Sequence, residues 1–193
     1  MPKRPARNCN TTQRIRIVAG ILRGSKIDVV DAPGLRPTPD RVRETLFNWL
    51  APVIVGMRCL DLYAGTGALG IEAVSRGASS CTFVERDPRA AAMLAATLTR
   101  LKIENANVMT GDAVAFLNNL QGSFDLVFLD PPFSNDSWTT ISRKLEASSA
   151  LAEGAWIYLE SPGDTAPAVP ADWRLHRDAR SGNVRHALYQ RLR

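Results

Sequence analysis

The sequence predicts an α/β fold: a doubly wound, mostly parallel sheet of seven strands with a small basic β extension at its N-terminus. Three observations carry this expectation. Apolar β-type runs alternate with helical patterns along most of the chain. A glycine loop, Gly65-Thr66-Gly67-Ala68-Leu69-Gly70, follows an apolar run that ends in Asp61. Asp61, Glu85, Asp112 and Asp130 all fall at or just past the ends of predicted strands, on the edge where such sheets bind ligands.

The elements follow in order. Residues 1–13 show little apolar periodicity and are expected to fray. Residues 14–20 alternate basic and apolar side chains, as a half-buried strand does, and residues 21–29 repeat the pattern, with Gly24-Ser25 able to turn between them. On that ribbon Arg14, Arg16, Arg23 and Lys26 share a solvent-facing surface. A helix then starts with Thr38 as N-cap, Pro39 in the first position and Asp40 against the dipole. Val42, Leu46, Trp49 and Leu50 form its core stripe, and Ala51-Pro52 ends it.

Strands are predicted at 57–63, 81–85, 107–110, 124–129 and 156–160, with helices at 68–76, 88–101, 113–120 and about 139–148 between them. Asp87 begins the second of these helices. The run at 124–129 is apolar enough for mid-sheet. Residues 161–171 are a Pro-, Gly- and Ala-rich loop with no assigned role, and 173–176 with 184–189 read as a closing hairpin around Arg180-Ser181-Gly182-Asn183.

Composition narrows the class. At 193 residues, 45% apolar and 22% charged, the chain fits one domain, with 1–36 as a basic extension and 37–193 as the core. No apolar run approaches the ~18 residues of a membrane span. Cys9, Cys59 and Cys81 are odd in number and scattered, which points to reduced thiols in a cytosolic protein, without a disulfide framework or zinc site. His176 and His186 have no partner at ligand spacing, so no metal is expected. Residues 1–43 hold ten Lys/Arg against three Asp, a net +7 that leaves −2 for the remainder of a +5 chain. A basic N-terminal quarter suggests a polyanionic partner.

The glycine spacing satisfies G-x-G-x-x-G, and Glu85 stands 20 residues past Gly65, as a dinucleotide site requires. Asp61 argues otherwise. A pyrophosphate on a helix N-terminus needs N–H donors and positive potential, and a carboxylate four residues before the loop would repel it. It suits a cofactor with positive charge and no phosphate, such as S-adenosylmethionine, and here the sequence resembles the class I methyltransferases, whose first motif is an acid followed by G-x-G. In that frame Glu85, with Arg86 beside it, faces the ribose, Asp112 and Ala113 the adenine, and Asp61 the methionine end. Tyr63, Ala64, Gly65, Thr66 and Gly67 give close backbone approach.

Asp130-Pro131-Pro132-Phe133 resembles the D/N-P-P-Y/F/W motif of methyltransferases acting on an amine conjugated to a ring. The lone pair of such a nitrogen is delocalised. The Asp130 carboxylate and Pro131 carbonyl can each accept one amine hydrogen, Phe133 can stack on the base, and the two prolines hold the acceptors rigidly. A base reached at its edge must leave its stack, and the basic ribbon becomes the expected phosphate grip. Arg177, Arg180, Arg185, Arg191 and Arg193 extend it if the hairpin lies on the same side.

The ribbon sequence, the Leu22-Arg23-Gly24 that follows it, the block from Arg36-Pro37-Thr38-Pro39-Asp40-Arg41 to Leu50, the glycine loop and Asp130-Pro131-Pro132-Phe133 occur in this order. Together they resemble the ribosomal small-subunit methyltransferase D family from about Arg14 onward. The resemblance implies a monomeric cytoplasmic enzyme that methylates N2 of one guanine, conventionally numbered 966, in bacterial 16S rRNA on small-subunit particles. It also implies that Arg36, Pro37, Thr38 and Arg41 touch cofactor or substrate. Three rival readings remain. A DNA adenine-N6 or cytosine-N4 methyltransferase uses a similar tetrapeptide, but the chain lacks room for a separate target-recognition domain. A nicotinamide oxidoreductase is disfavoured by Asp61. A non-catalytic rRNA-binding assembly factor would not need the intact Asp130 motif.

Overall fold

The chain runs β1 (Arg14–Arg16), β2 (Lys26–Asp28), α1 (Asp40–Leu50), β3 (Arg58–Asp61), α2 (Ala68–Ser75), β4 (Ser80–Glu85), α3 (Pro88–Arg100) and β5 (Ala106–Thr110). It continues through α4 (Ala113–Asn119), β6 (Phe124–Leu129), α5 (Ser137–Ala147), β7 (Leu151–Pro162), β8 (Trp173–Ser181) and β9 (Val184–Arg191). This computed structural model describes residues 14–29, 40–131, 137–163 and 166–193. The expectations for the 1–13 tail, for Arg36, Pro37, Thr38 and Pro39, and for Pro132 and Phe133 lie outside the described residues.

Seven strands form one sheet in the order β5-β4-β3-β6-β7-β9-β8. The pairs from β5 through to β7 are parallel, and β9 is antiparallel to both neighbours. The α/β doubly wound class predicted from the alternation is therefore the fold. The chain steps outward from β3 to β5, then returns to β6 on the other side of β3. The strand order thus reverses between β3 and β6, the position where such sheets open a ligand crevice.

Alternation along the strands divides the core. Cys59, Phe83, Leu126, Phe128 and Tyr158 join Leu46, Phe47, Ile71 and Leu94 on one face, while Leu60, Val127, Leu129, Ile157 and Tyr189 join Leu117, Ile141 and Leu145 on the other. Ile15, Ile17, Ile27 and Val29 belong to the first cluster, so the ribbon is packed into the α1–α2 face.

Several boundaries differ from the sequence expectation. β7 is twelve residues long because it pairs with β6 on one side and β9 on the other. A register shift between Phe124 and Leu126, near Gly154 at φ +69°, masks the extra pairs in the sequence pattern. β8 extends to Ser181 through a polar stretch, which an edge strand tolerates. The ribbon strands are only three residues each, and the connection between them is wider than Gly24-Ser25. Gly20 explains the departure. Its φ is +80°, and a Cβ there would lie 1.8 Å from the Ser75 carbonyl oxygen, so the chain leaves the ladder to press on α2. In α1 the buried face is Val42, Arg43, Leu46, Phe47 and Leu50, with Trp49 only partly buried.

Candidate active site

Five acids stand on adjacent strands at the carboxyl edge. Asp112 follows β5, Glu85 ends β4, Asp61 ends β3, Asp130 follows β6, and Glu160 lies near the end of β7. Sequence reasoning singled out four of them; Glu160 was read only as the end of a strand.

Asp61 is buried, and its Oδ2 accepts the Gly70 N–H at 3.1 Å in the first turn of α2. A carboxylate there complements the helix dipole. Burial nevertheless dominates and, with the Glu85 charge added, pushes the carboxyl up to about 7. A cationic guest would relieve that cost, which is the fit S-adenosylmethionine requires.

The glycine loop is shaped by its neighbours. Gly67 has φ +76°, and a Cβ there would lie 2.3 Å from Leu94 Cδ1; one on Gly70 would meet Phe83 at 2.3 Å and Cys81 Sγ at 2.6 Å. Gly67 therefore permits the turn, and Gly70 permits close helix–strand packing. The Glu85 carboxylate fixes the loop from the side: Oε2 accepts the Gly65 N–H and Oε1 the Asp87 N–H, each at 2.8 Å. A carboxylate offers about four lone-pair sites, so two remain for ribose hydroxyls. Asp112 caps α4, its Oδ1 accepting from Val114 (2.9 Å) and Ala115 (3.1 Å). Among the other predicted cofactor residues, Ala64 and Ala113 are buried, Tyr63, Gly65 and Thr66 partly buried, and Arg86 exposed.

Asp130 keeps partial exposure and Pro131 is buried. Burial, then the charges of Glu160 and Asp61, push the Asp130 carboxyl well above the ordinary carboxylate range. Glu160 is buried, and its Oε1 accepts the Tyr158 hydroxyl at 2.8 Å.

The basic ribbon packs on the C-terminal half of α2, through Glu72 and Ser75, and reaches Arg100 at the end of α3. Arg14, Arg16, Arg23, Lys26 and Arg41 are exposed, and Arg14 pairs with Asp28 at 2.9 Å. Arg16 opposes Lys26 and Arg14 opposes Asp28 in the ladder, while Ile15 and Ile27 turn inward. Arg43, counted with the basic residues, is instead fully buried; its Nη2 donates to the Arg16 carbonyl (2.7 Å) and Asp40 (2.6 Å). The hub of the docking is Glu72, also fully buried. It accepts the Val18 N–H at 2.8 Å, the Ala19 N–H at 3.0 Å and Arg76 Nε at 2.8 Å, with Arg43 Nη1 at 3.9 Å. Neither role was anticipated, although a single acid in the apolar helix of residues 68–74 was a usable signal.

The hairpin divides. Arg180 and Arg185 lie at the carboxyl edge, because β9 begins opposite Pro162. Arg191 and Arg193 are at the amino edge, bonded to Glu146 and Asp172. Arg185 is paired with Asp178 at 3.0 Å. A concavity of about 350 Å³ beside Val55, Met57, Asp125 and Trp156 is at the amino edge, and no predicted site residue lines it. Among the described residues, no group of three or more His, Cys, Asp or Glu side chains is arranged to hold a metal. No helix among them is long and apolar enough to cross a membrane.

Comparison with known proteins agrees with this geometry. The sequence model of the family described as Conserved hypothetical protein 95 matches residues 15–190. Ribosomal RNA small subunit methyltransferase D of Escherichia coli is 48% identical over 185 residues, covering 95% of this chain and 93% of that protein. The Haemophilus influenzae protein of the same name is 42% identical, with 94% and 96% covered. The solved structure of a putative methyltransferase from Escherichia coli superposes with a TM-score of 0.84 at 48% identity, over 93% of this chain and 98% of that one.

Proposed function

Because the chain belongs to the Conserved hypothetical protein 95 family, and with it to the ribosomal small-subunit methyltransferase D proteins, we propose that it methylates the exocyclic N2 amine of a guanine in bacterial 16S rRNA. The observation that carries the reading is the pairing of a buried Asp61 beside the glycine loop with Asp130 at the strand-order reversal. The relatives' names support methyl transfer to small-subunit rRNA. The N2 position, guanine 966 and an assembled particle as substrate rest on the resemblance of the sequence motifs. The setting proposed with them is a single-domain cytoplasmic monomer that grips rRNA through Arg14, Arg16, Arg23, Lys26 and Arg41.

S-adenosylmethionine, when bound, supplies a methyl group on a positively charged sulfur. Asp61, the 63–67 loop, Glu85, Arg86, Asp112 and Ala113 would hold it, with Arg36 and Thr38 closing the site. Asp130 and the Pro131 carbonyl accept the two amine hydrogens, so the nitrogen lone pair turns toward the methyl group. A carboxyl group held above its ordinary range is also suited to take the proton the amine gives up. Pro132 and Phe133 keep the acceptors in place and stack the base.

The test is transfer of labelled methyl groups to undermethylated small subunits and, separately, to naked 16S rRNA, with the modified nucleoside identified by mass. N2-methylguanosine that disappears in Asp130→Ala, with S-adenosylhomocysteine binding retained, is the expected result. Label in another nucleoside would overturn the substrate assignment. Unlabelled RNA with cofactor binding intact would favour the assembly-factor alternative.

A further inference from the structure

The carboxyl edge of the sheet is not level. The β6–β7 register pairs Leu129 with Leu159, so Asp130 stands at the height of Glu160. Beyond that height β7 runs on to Pro162, β8 runs to Ser181, and β9 begins at Val184. At about 3.3 Å per residue, these three strands project roughly 7 Å past Asp130, beside the crevice on its β7 side. A two-residue turn, Gly182-Asn183, closes the hairpin, and the Gly163 N–H donates to the Asn183 carbonyl at 2.7 Å. The tip of the hairpin is thus pinned to the end of β7.

The charge on this projection is of one sign. Within residues 161–163 and 180–185, the charged side chains are Arg180 and Arg185. They oppose each other in the β8–β9 ladder, so both leave the same face of the sheet. Like charges directly opposite weaken a ladder. Asp178 offsets one of them, its Oδ2 accepting from Arg185 Nε at 3.1 Å and Nη2 at 3.0 Å. Arg180 is exposed, and among the described residues no acid pairs with it. A guanidinium left uncompensated beside a second one suits an anion, and its planar fork of donors matches phosphate oxygens.

The ribbon's charges lie elsewhere. The ribbon is bonded to Glu72 and Ser75, and Ser75 ends α2 before the chain re-enters the sheet at the amino end of β4. Arg185 and Arg180 stand two and three strands from Asp130, about 10 and 14 Å along the sheet. An arginine side chain and the sugar–phosphate of a neighbouring nucleotide span that distance. We propose that the β8–β9 hairpin is a second RNA-contact surface, in which Arg180 binds a backbone phosphate of the strand that carries the target base. Arg185, fixed by Asp178, adds positive potential beside it. The inference rests on the reading that Asp130 receives a base of rRNA. The contact reads no sequence; it holds the strand in register so that the base enters at Asp130.

The experiment uses undermethylated small subunits and compares Arg180→Gln with Arg174→Gln. Arg174 is exposed on the same strand but near its amino end, about 20 Å from Arg180, so each variant removes one charge from β8. In Arg180→Gln, KM for the particle should rise about tenfold with kcat nearly unchanged, and the slope of log K against log salt should fall by roughly 0.7–0.9. S-adenosylhomocysteine affinity and melting temperature should stay as in wild type. Arg180→Lys should restore the slope, and Arg174→Gln should alter neither KM nor slope. Particles carrying a methylphosphonate, which removes the charge of one linkage, locate the contact. At one linkage near the target the change should cost the wild type about tenfold and cost Arg180→Gln nothing further. An unchanged slope in Arg180→Gln, or equal losses in Arg180→Gln and Arg174→Gln, overturns the proposal. So does a methylphosphonate loss that multiplies with that of Arg180→Gln at every linkage. Binding is measured without transfer. A wild-type protein that binds the particle but methylates nothing would therefore overturn the reading of Asp130, while the slope still decides Arg180.

Discussion

The Glu72 carboxylate accepts the backbone N–H of Val18 at 2.8 Å, joining residues 54 positions apart in the sequence. Through this bond and that to Ala19, the basic ribbon is held to the helix that begins at the glycine loop. The charges of the ribbon and the glycine loop are therefore tied to one and the same helix.

Removing that carboxylate should be costly. Glu72→Ala leaves the buried Arg43 without its nearest acid partner on α2 and strips two backbone donors of their acceptor. A loss of about 3–5 kcal/mol in urea unfolding is expected. Trypsin cleavage should also rise at Arg14, Arg16, Arg23 and Lys26. A variant as stable as the wild type, with the ribbon still protected, would show that Glu72 does not hold it.

Asp61 makes the stability of the fold depend on pH. Its carboxyl is raised to about 7 in the folded chain, chiefly by burial, from about 3.9 when unfolded. The folded state binds more protons between those values, so this group's contribution is fully present below about pH 4 and lost as pH rises through about 7. Asp61→Asn should therefore melt several degrees above wild type at pH 8, with the gain shrinking toward pH 5. The same variant should lose S-adenosylmethionine binding by calorimetry, and wild-type binding should weaken as pH falls below 7. Equal melting at both pH values would contradict the assigned shift.

Gly67 tests the shape of the loop. Gly67→Ala meets Leu94 Cδ1 and must hold φ +76°, so a loss of about 1–3 kcal/mol is expected. Adding Leu94→Ala relieves the clash but not the backbone strain. The double variant should not regain cofactor affinity, as titration would reveal.

Salt dependence separates gripping arginines from structural ones. Arg16→Ala and Lys26→Ala should each lower the slope of log K against log salt by roughly 0.7–0.9 for rRNA binding. Arg191→Ala should leave that slope alone and reduce stability, because Arg191 is tied to Glu146 at 2.8 Å. A reduced slope for Arg191→Ala would place the RNA differently.

Much of this architecture was legible because local pattern and tertiary role coincide. Apolar strands ending in Asp61, Glu85 and Asp130 announce the parallel sheet and its ligand edge, and Asp87 and Asp112 stand where helix caps belong. Arg43 and Glu72 were less accessible, since each looks like an ordinary helical charge until the ribbon covers it. Arg43 does sit among Val42, Leu46 and Phe47 on the buried face, which was the available signal. The placement of Glu160 is lateral and not local: only the β6–β7 register sets it beside Asp130. The lengths of β7 and β8 were misjudged where a bulge and an edge position weaken the alternation.

The placement of β9 between β7 and β8 has a consequence for how the sheet is assembled. β8 emerges first during synthesis but has no strand to pair with until β9 inserts beside it. For that interval it is an open ladder with Trp173 and Leu175 uncovered, the kind of segment on which chains self-associate. Arg174, Arg177, Asp178 and Arg180 run along the same strand and are exposed in the finished fold. Charges in such positions are of the kind that discourage an unpaired strand from joining another chain.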